Sequence, residues 1–220
     1  MKADRTRILE MVAAGELSPA DADRLLAAAA RPRPPLARWL FQPMEILPTG
    51  RALAIGAAAA LAGALVSVLL GVRFDGALDA HGPAPDPVPP VDAIVDLVLV
   101  WPVTALICWG VARLFTRQGR LVDFLAAVGV ARVGWLILGL LIGTVGRAVD
   151  DGALLSVGPA ELIFALALVL PVSAWAIALL VTGFRTASGL RGVRLAVGAV
   201  IALVLAEAIT KLALWSWTAT

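Results

Sequence analysis

Residues 52–72 read ALAIGAAAALAGALVSVLLGV, a stretch without a single charged side chain. A helix rises about 1.5 Å per residue, so this stretch is long enough to cross the roughly 30 Å hydrocarbon core of a bilayer. Backbone groups in lipid must find hydrogen bonds within their own segment, which excludes an isolated strand. The stretch therefore predicts a membrane-spanning helix.

Four further apolar stretches follow in a chain that is 60% hydrophobic, whereas soluble domains are about 45–50% apolar. None of them alternates apolar and polar residues, as strands of a membrane barrel would. The sequence predicts an all-α, polytopic membrane helix bundle in a domain spanning residues 52–220. We expect its five transmembrane helices at about residues 52–72, 93–115, 121–146, 159–184 and 193–214.

The charges between these stretches predict an orientation. Most of the 18 Lys and Arg residues precede the first span or lie in the second-to-third and fourth-to-fifth connections. The other two connections are rich in aspartate. The positive-inside rule then places the N-terminus in the cytoplasm and the C-terminus outside. Because arginine greatly outnumbers lysine and alanine is abundant, we expect a multi-pass protein of a bacterial inner membrane.

Residues 1–31 predict a small cytoplasmic helical hairpin. Gly15 can end the first helix in a left-handed cap, and Ser18 followed by Pro19 can start the second. The pattern resembles helical hairpins that open many bacterial membrane and regulatory proteins, which implies docking or oligomerisation; a folded cap without a partner is the alternative. Residues 32–51 read as a Pro/Arg linker and an interfacial segment. The candidate docking positions are apolar: Leu9, Met11, Val12, Leu17, Leu25 and Leu26.

Three charges fall inside the predicted spans. Arg132 lies about midway along the third span, and Glu207 and Lys211 lie one turn apart in the fifth. Each costs about 2.5–3.5 kcal/mol at the bilayer centre unless it is paired. We expect an i,i+4 pair between Glu207 and Lys211, and Arg132 could reach Glu207 across a helix interface. The cluster is either a structural ion pair or a relay or polar substrate site. Asp96 reads as a first-turn acid that offsets a helix dipole.

Small residues predict close helix packing in two spans. We expect these residues to pack helices of the same chain together rather than to join two copies of the chain. The candidate positions are Gly56, Ala60, Gly63, Gly139 and Gly143.

The five-span domain resembles the Yip family of Ypt/Rab-interacting membrane proteins and their bacterial relatives. One part of the resemblance runs from Trp109-Gly110 through Arg113-Leu114-Phe115 to Val128-Gly129-Val130-Ala131. The other runs from Trp175 to Gly183-Phe184-Arg185 and the short basic loop that follows. The resemblance implies five spans and a cytoplasmic N-terminus, and it supplies no catalytic residue.

We expect a non-enzymatic protein, because no paired carboxylates or nucleophile–base spacing occurs. No cofactor or metal is expected, since His81 has no second His or Cys nearby. The leading hypothesis is a membrane scaffold or adaptor whose partners are the lipid bilayer and a cytoplasmic protein or a second copy of itself. No nucleic acid or small-molecule ligand is expected. The alternative is a small transporter, channel subunit or permeability factor that uses Arg132, Glu207 and Lys211.

Overall fold

A computed structural model describes residues 2–29, 35–78, 80, 82, 88–148 and 158–218. Its described part is helical, and no β-strand occurs there, which confirms the predicted all-α class. Residues 30–31 of the predicted hairpin, residues 32–34 of the predicted linker and His81 lie outside the described residues. The helices are α1 Lys2–Ala13, α2 Pro19–Ala29, α3 Leu36–Phe41, α4 Thr49–Leu70, α5 Pro90–Phe115, α6 Leu121–Ala148, α7 Pro159–Ser188 and α8 Gly192–Thr218.

The chain forms two compact units, Met1–Arg38 and Trp39–Thr220. In the first unit α1 packs against α2, as the predicted hairpin requires. Gly15 sits between them at φ 75°, a left-handed conformation that glycine adopts at little cost. The Ser18 hydroxyl oxygen accepts a hydrogen bond from the Asp21 amide at 3.1 Å, which caps the start of α2.

In the second unit, α4 to α8 are the five helices long and apolar enough to cross a membrane. The chain is therefore a multi-pass membrane protein. Their ends differ from the prediction by a few residues: α4 and α5 each begin three residues earlier. Pro90 occupies the first turn of α5, where its missing N–H costs no hydrogen bond, and this explains the earlier start. Pro102 and Pro171 lie inside α5 and α7, which both continue past them.

Helix α6 is the centre of the bundle. It packs on α4, α5 and α7. In the most apolar 18-residue stretch of α6, 61% is buried inside the bundle, whereas in that of α7 only 17% is buried. Helix α8 packs mainly on α5. The Trp101 indole donates a hydrogen bond to the Leu125 carbonyl at 2.9 Å, which joins α5 to the first turns of α6.

A short segment before α4 docks on α7. One 3₁₀ turn, Pro43–Glu45, follows α3. The Trp175 indole donates to the Leu40 carbonyl at 2.9 Å, and the Arg185 guanidinium donates to Glu45 at 2.5 Å. These contacts hold part of the predicted interfacial segment against α7, from its middle to the last turn before the basic connection to α8.

Candidate functional site

Arg73 and Asp96 form a two-pronged ion pair where α4 ends and α5 begins. Helix α4 ends at Gly71, which adopts φ 71° and donates its N–H to the Ser67 carbonyl. Two residues later, Arg73 donates to Asp96 through Nε at 2.9 Å and through Nη2 at 3.0 Å. Such bidentate guanidinium–carboxylate pairs are the stronger kind of charged contact. Burial alone would lower the pKa of Arg73, but the hydrogen bonds and charge of Asp96 outweigh it and raise the pKa.

The placement of Asp96 corrects the sequence interpretation. Because α5 begins at Pro90, Asp96 lies in the second turn of the helix rather than the first. Its side chain is only 3% exposed and both carboxylate oxygens accept hydrogen bonds from Arg73. Asp96 is therefore one half of a buried ion pair, and a helix-dipole role does not account for it. The sequence signal for this pair was a lone arginine directly after one span, facing a lone acid within the next.

Glu207 and Lys211 bind the segment that follows α4, residues 71–78, here called the post-α4 segment. The Leu78 amide donates to Glu207 Oε2 at 2.8 Å. Lys211 lies 3.2 Å from Asp75 and 3.8 Å from Glu207, so the expected i,i+4 pair is present. Gly76 permits this approach, since an ideal Cβ there would lie 2.5 Å from Glu207 Oε1. The two charges of α8 thus fix a connecting segment onto the bundle.

Arg132 is placed differently from these groups. Its side chain is 8% exposed, and its Nη2 has no hydrogen-bond partner among the described residues. Asp96 and Glu207 both act on it electrostatically. No salt bridge joins it to Glu207 in the part of the chain that the structure describes, so the contact that Arg132 could have made with Glu207 is not formed. The reason is the helix arrangement: α6 packs on α4, α5 and α7, whereas α8 packs mainly on α5.

A cavity beside Arg132 is enclosed by α4, α5 and α6. It is partly open to the surroundings of the bundle, and its own volume is about 20 Å³, roughly the room that one water molecule needs. Arg132, Trp135, Asp96 and Ser67 supply its polar groups, and the rest of its wall is mostly apolar. The Trp135 indole N–H is also buried without a partner in the described residues. The cavity and the buried, unpartnered donors of two of its wall residues, Arg132 and Trp135, form the candidate functional site, and Trp135 is a member that sequence reasoning missed.

The predicted packing residues lie at contacts within the chain. An ideal Cβ on Gly56 would lie 2.6 Å from Gly129 Cα, so α4 and α6 approach closely there. Gly139 faces the Phe74 ring, and a Cβ on Gly143 would lie 2.7 Å from Leu70 Cβ. An ideal Cβ on Gly63 would lie 3.8 Å from Phe74 Cε2, so there is room for a methyl group at that position. Ala60 is buried.

Two further glycines of α6 and α7 were missed by sequence reasoning. A Cβ on Gly134 would lie 2.7 Å from Ala176 Cβ, and one on Gly183 would lie 2.9 Å from Ala127 Cβ. Both form the contact between α6 and α7. Gly129 and Gly134 lie five positions apart on α6, and they therefore pack against different helices, Gly129 against α4 and Gly134 against α7. That spacing on one span was the available signal.

The candidate docking residues of the hairpin differ in exposure. Leu9 and Leu25 are 50% and 45% exposed, which is high for leucine side chains. Met11, Val12, Leu17 and Leu26 are half-buried, and Ala22 is buried at 4% exposure. The hairpin thus has a small internal contact and leaves two of its leucines on the surface.

Comparison with known proteins finds a similarity within the first unit. Residues 4–33 match the family of the SHOCT-like domain. No curated protein and no solved structure matches the chain. The hairpin is similar to a SHOCT-like domain, and the matched residues lie entirely before the five spans.

Proposed function

We propose that this chain is a non-enzymatic membrane adaptor, in which five spans of the Yip-like class anchor a SHOCT-like hairpin that recruits a protein partner. The observation that carries the proposal is the division of the chain: the family match is confined to residues 4–33, within a unit that is compact by itself. A hairpin this small buries little apolar surface, so a further partner would add to its stability.

The exposed leucines support a protein partner for the hairpin. Leu9 and Leu25 leave about half of their surface uncovered. Burying a leucine fully is worth roughly 1.5–3 kcal/mol, which a partner or a second copy of the hairpin could supply. The basic residues before the first span favour a cytoplasmic position for this unit, in a bacterial inner membrane.

The test is crosslinking in the native membrane followed by mass spectrometry. The full chain is compared with a chain lacking residues 1–35 and with the double variant Leu9→Ser and Leu25→Ser. The matched control is Ala14→Ser, at an exposed position of the same unit. We expect partners that disappear on truncation and in the leucine variant but remain in the control. If the crosslinks of all four chains are the same, the adaptor function is wrong.

A small transporter or permeability factor is the second candidate, and one observation favours it. Arg132 is a buried arginine with an unpaired donor beside a cavity inside the bundle. Against it stands the use of Glu207 and Lys211 to hold the post-α4 segment, which leaves Arg132 without a continuous chain of titratable groups among the described residues. Transport predicts that Glu207→Gln changes solute or ion flux in proteoliposomes while the protein still accumulates. Adaptor function predicts unchanged flux.

A further inference from the structure

The post-α4 segment does not run along the surface of the bundle but turns back into its interior. Val72 is fully buried, and Phe74 and Ala77 are 8% and 2% exposed. Gly63 lies seven residues before the end of α4, which is about 10 Å along the helix axis. An ideal Cβ on Gly63 would nevertheless lie only 3.8 Å from Phe74 Cε2. The chain thus leaves α4 and returns alongside it.

Two other helices show that the segment reaches a similar depth. Gly139 lies nine residues before the end of α6, and a Cβ there would overlap the Phe74 ring. Glu207 lies eleven residues before the end of α8 and accepts a hydrogen bond from the Leu78 amide at 2.8 Å. Both positions are about 13–17 Å from the ends of their helices. The segment therefore lies well inside the bundle, between α4, α6 and α8.

The segment fills this interior and leaves little space beneath it. The cavity that Phe74 borders together with Arg132 has a volume of about 20 Å³, roughly the room for one water molecule. Arg132 Nη2 and Trp135 Nε1 are buried and have no hydrogen-bond partner among the described residues. A segment that only covered a chamber would leave a larger space. This one acts as a plug, and it keeps water away from both donors.

Two sets of polar contacts hold the segment, and they lie on different helices. At its start, Arg73 is joined to α5 by the ion pair described above. Further along, α8 holds it through Lys211, which lies 3.2 Å from Asp75, and through the contact of Glu207 with the Leu78 amide. Helix α8 itself packs mainly on α5. Losing the α8 contacts would therefore free the later part of the segment while its start stays attached.

We propose that the part of the post-α4 segment beyond Arg73 is a removable plug. Seated, it excludes water from the interior between α4, α6 and α8; released from Glu207 and Lys211, it opens that interior as a water-filled vestibule. Apolar burial and the α8 contacts stabilise the seated state. Unpaired buried donors on Arg132 and Trp135 cost free energy in that state, and water in the vestibule would satisfy them. The inference concerns the second unit alone and does not rest on the adaptor function.

The experiment measures how fast cysteines react with a lipid-insoluble methanethiosulfonate that carries a sulfonate group. The full chain is held in nanodiscs, and each labelled peptide is quantified by mass spectrometry. Ser67→Cys reports on the vestibule, because Ser67 is 1% exposed and lines the cavity with Phe74. Ala77→Cys reports whether the segment is seated. The native Cys108 is 3% exposed in the half of α5 farther from the segment, so it reports general loosening of the bundle.

Removal of the α8 contacts should open the vestibule. In the otherwise unchanged chain, both introduced cysteines should react much more slowly than Gln118→Cys in the exposed connection between α5 and α6. Glu207→Ala with Lys211→Ala should accelerate both reactions by about tenfold or more, as expected for the loss of two hydrogen bonds to charged groups. The rate at Cys108 should not change. Lys211→Met alone keeps the contact of Glu207 with the Leu78 amide and should accelerate both reactions less.

The matched control removes a comparable ion pair elsewhere in the bundle. Glu45→Ala with Arg185→Ala breaks the pair between the pre-α4 segment and α7, whose atoms lie 2.5 Å apart. Like the α8 double variant, it removes one charge of each sign, so the attraction of the reagent is altered equally. Both introduced cysteines should react in this background as slowly as in the otherwise unchanged chain.

Four results would overturn the proposal. If Ala77→Cys alone reacts as fast as Gln118→Cys, the segment is not seated, and this result depends on no other variant folding. Unchanged rates in the α8 double variant would mean that α8 does not hold the segment. Acceleration at Ala77→Cys without acceleration at Ser67→Cys would mean that no vestibule opens. Equal acceleration at Cys108 would mean that the whole bundle loosens.

Discussion

Two groups of charges lie within or beside the spans of this bundle, and they are satisfied to very different degrees. Arg73, Asp96, Glu207 and Lys211 all have ionic partners at 3.8 Å or less. Arg132, deeper along its helix and 8% exposed, has a terminal nitrogen without any hydrogen-bond partner among the described residues. Placing any of these charges in a membrane costs free energy, so the difference in how they are paired requires an explanation.

The explanation lies in the post-α4 segment. Arg73 and Asp75 come from it as partners for Asp96 and Lys211, and the Leu78 amide binds Glu207. A connecting segment can fold back and place a charge or an N–H where a helix cannot. Arg132 lies on the central helix α6, about midway along it, and receives no such partner from this segment. A charge near the end of a span can thus be paired by the connecting segment. A charge midway along a span lies away from such segments and needs a partner from another source.

Removing a partner from the satisfied group should produce the largest effect. Asp96→Ala leaves Arg73, whose side chain is only 20% exposed, without its bidentate partner. We expect the free energy of unfolding to fall by about 3 kcal/mol, the lower end of the range for breaking a buried pair, since Arg73 can turn toward water. SDS titration of the purified chain in mixed micelles measures it.

The matched control for that measurement is the charge exchange Arg73→Asp with Asp96→Arg. If the double variant recovers at least half of the loss, the effect belongs to the pair. A loss that persists undiminished would mean that Asp96 acts mainly through packing or solvation, and the comparison between paired and unpaired charges would lose its best example.

Replacing Arg132, the arginine without a hydrogen-bond partner on its Nη2, should raise the free energy of unfolding instead of lowering it. Arg132→Met keeps much of the aliphatic volume and removes a charge that costs about 2.5–3.5 kcal/mol at a bilayer centre. We expect the free energy of unfolding of protein stripped of lipid by detergent exchange to rise by about 2 kcal/mol. The control Arg113→Met should show no gain, since Arg113 is exposed and donates to the Arg117 carbonyl at 2.8 Å. Destabilisation by Arg132→Met would indicate a partner that the bundle itself supplies.

The same contrast explains what the sequence could predict. Apolar length determines the five spans, because a shorter helix would not cross the hydrocarbon core and a helix satisfies its own backbone groups in lipid. The i,i+4 contact of Glu207 with Lys211 follows from helix geometry alone. Gly15 predicted where α1 ends and Ser18 predicted where α2 begins, both through local backbone chemistry. These features need only neighbouring residues.

Contacts between distant residues were less accessible. Pairing Arg132 with Glu207 assumed that α6 and α8 are neighbours, but charge and depth carry no information on which helices touch. Asp96 was misinterpreted because Pro90 starts α5 three residues before the predicted span. The close approaches of Gly56 to Gly129 and of Gly134 to Ala176 depend on the rotation of each helix about its own axis, which apolar patterns in a nearly uniform span do not determine.

A smaller effect should follow from changing the anchor of the post-α4 segment. Glu207→Gln removes the charge that faces Lys211 but keeps an oxygen that can accept from the Leu78 amide. Lys211 retains Asp75 as a partner at 3.2 Å. We therefore expect a loss of about 1 kcal/mol in the free energy of unfolding, the difference between a charged and a neutral hydrogen bond. A loss as large as that of Asp96→Ala would show that the second ion pair is the more important one.

The smallest effect should come from Gly76→Ala, which tests the fit of the post-α4 segment on Glu207. The added methyl would meet the carboxylate, whose Oε1 lies 2.5 Å from the ideal Cβ position, so the carboxylate must shift away from the Leu78 amide. Because a carboxylate is the mobile end of its side chain, we expect a loss of only about 0.5–1 kcal/mol. Gly50→Ala is the matched control, since nothing lies within 4 Å of its Cβ position. In the background of Glu207→Ala the loss should vanish, because the two sites are in contact and their effects are not additive. If Gly76→Ala costs the same in both backgrounds, the post-α4 segment is held by its own backbone and the α8 charges are not what satisfies it.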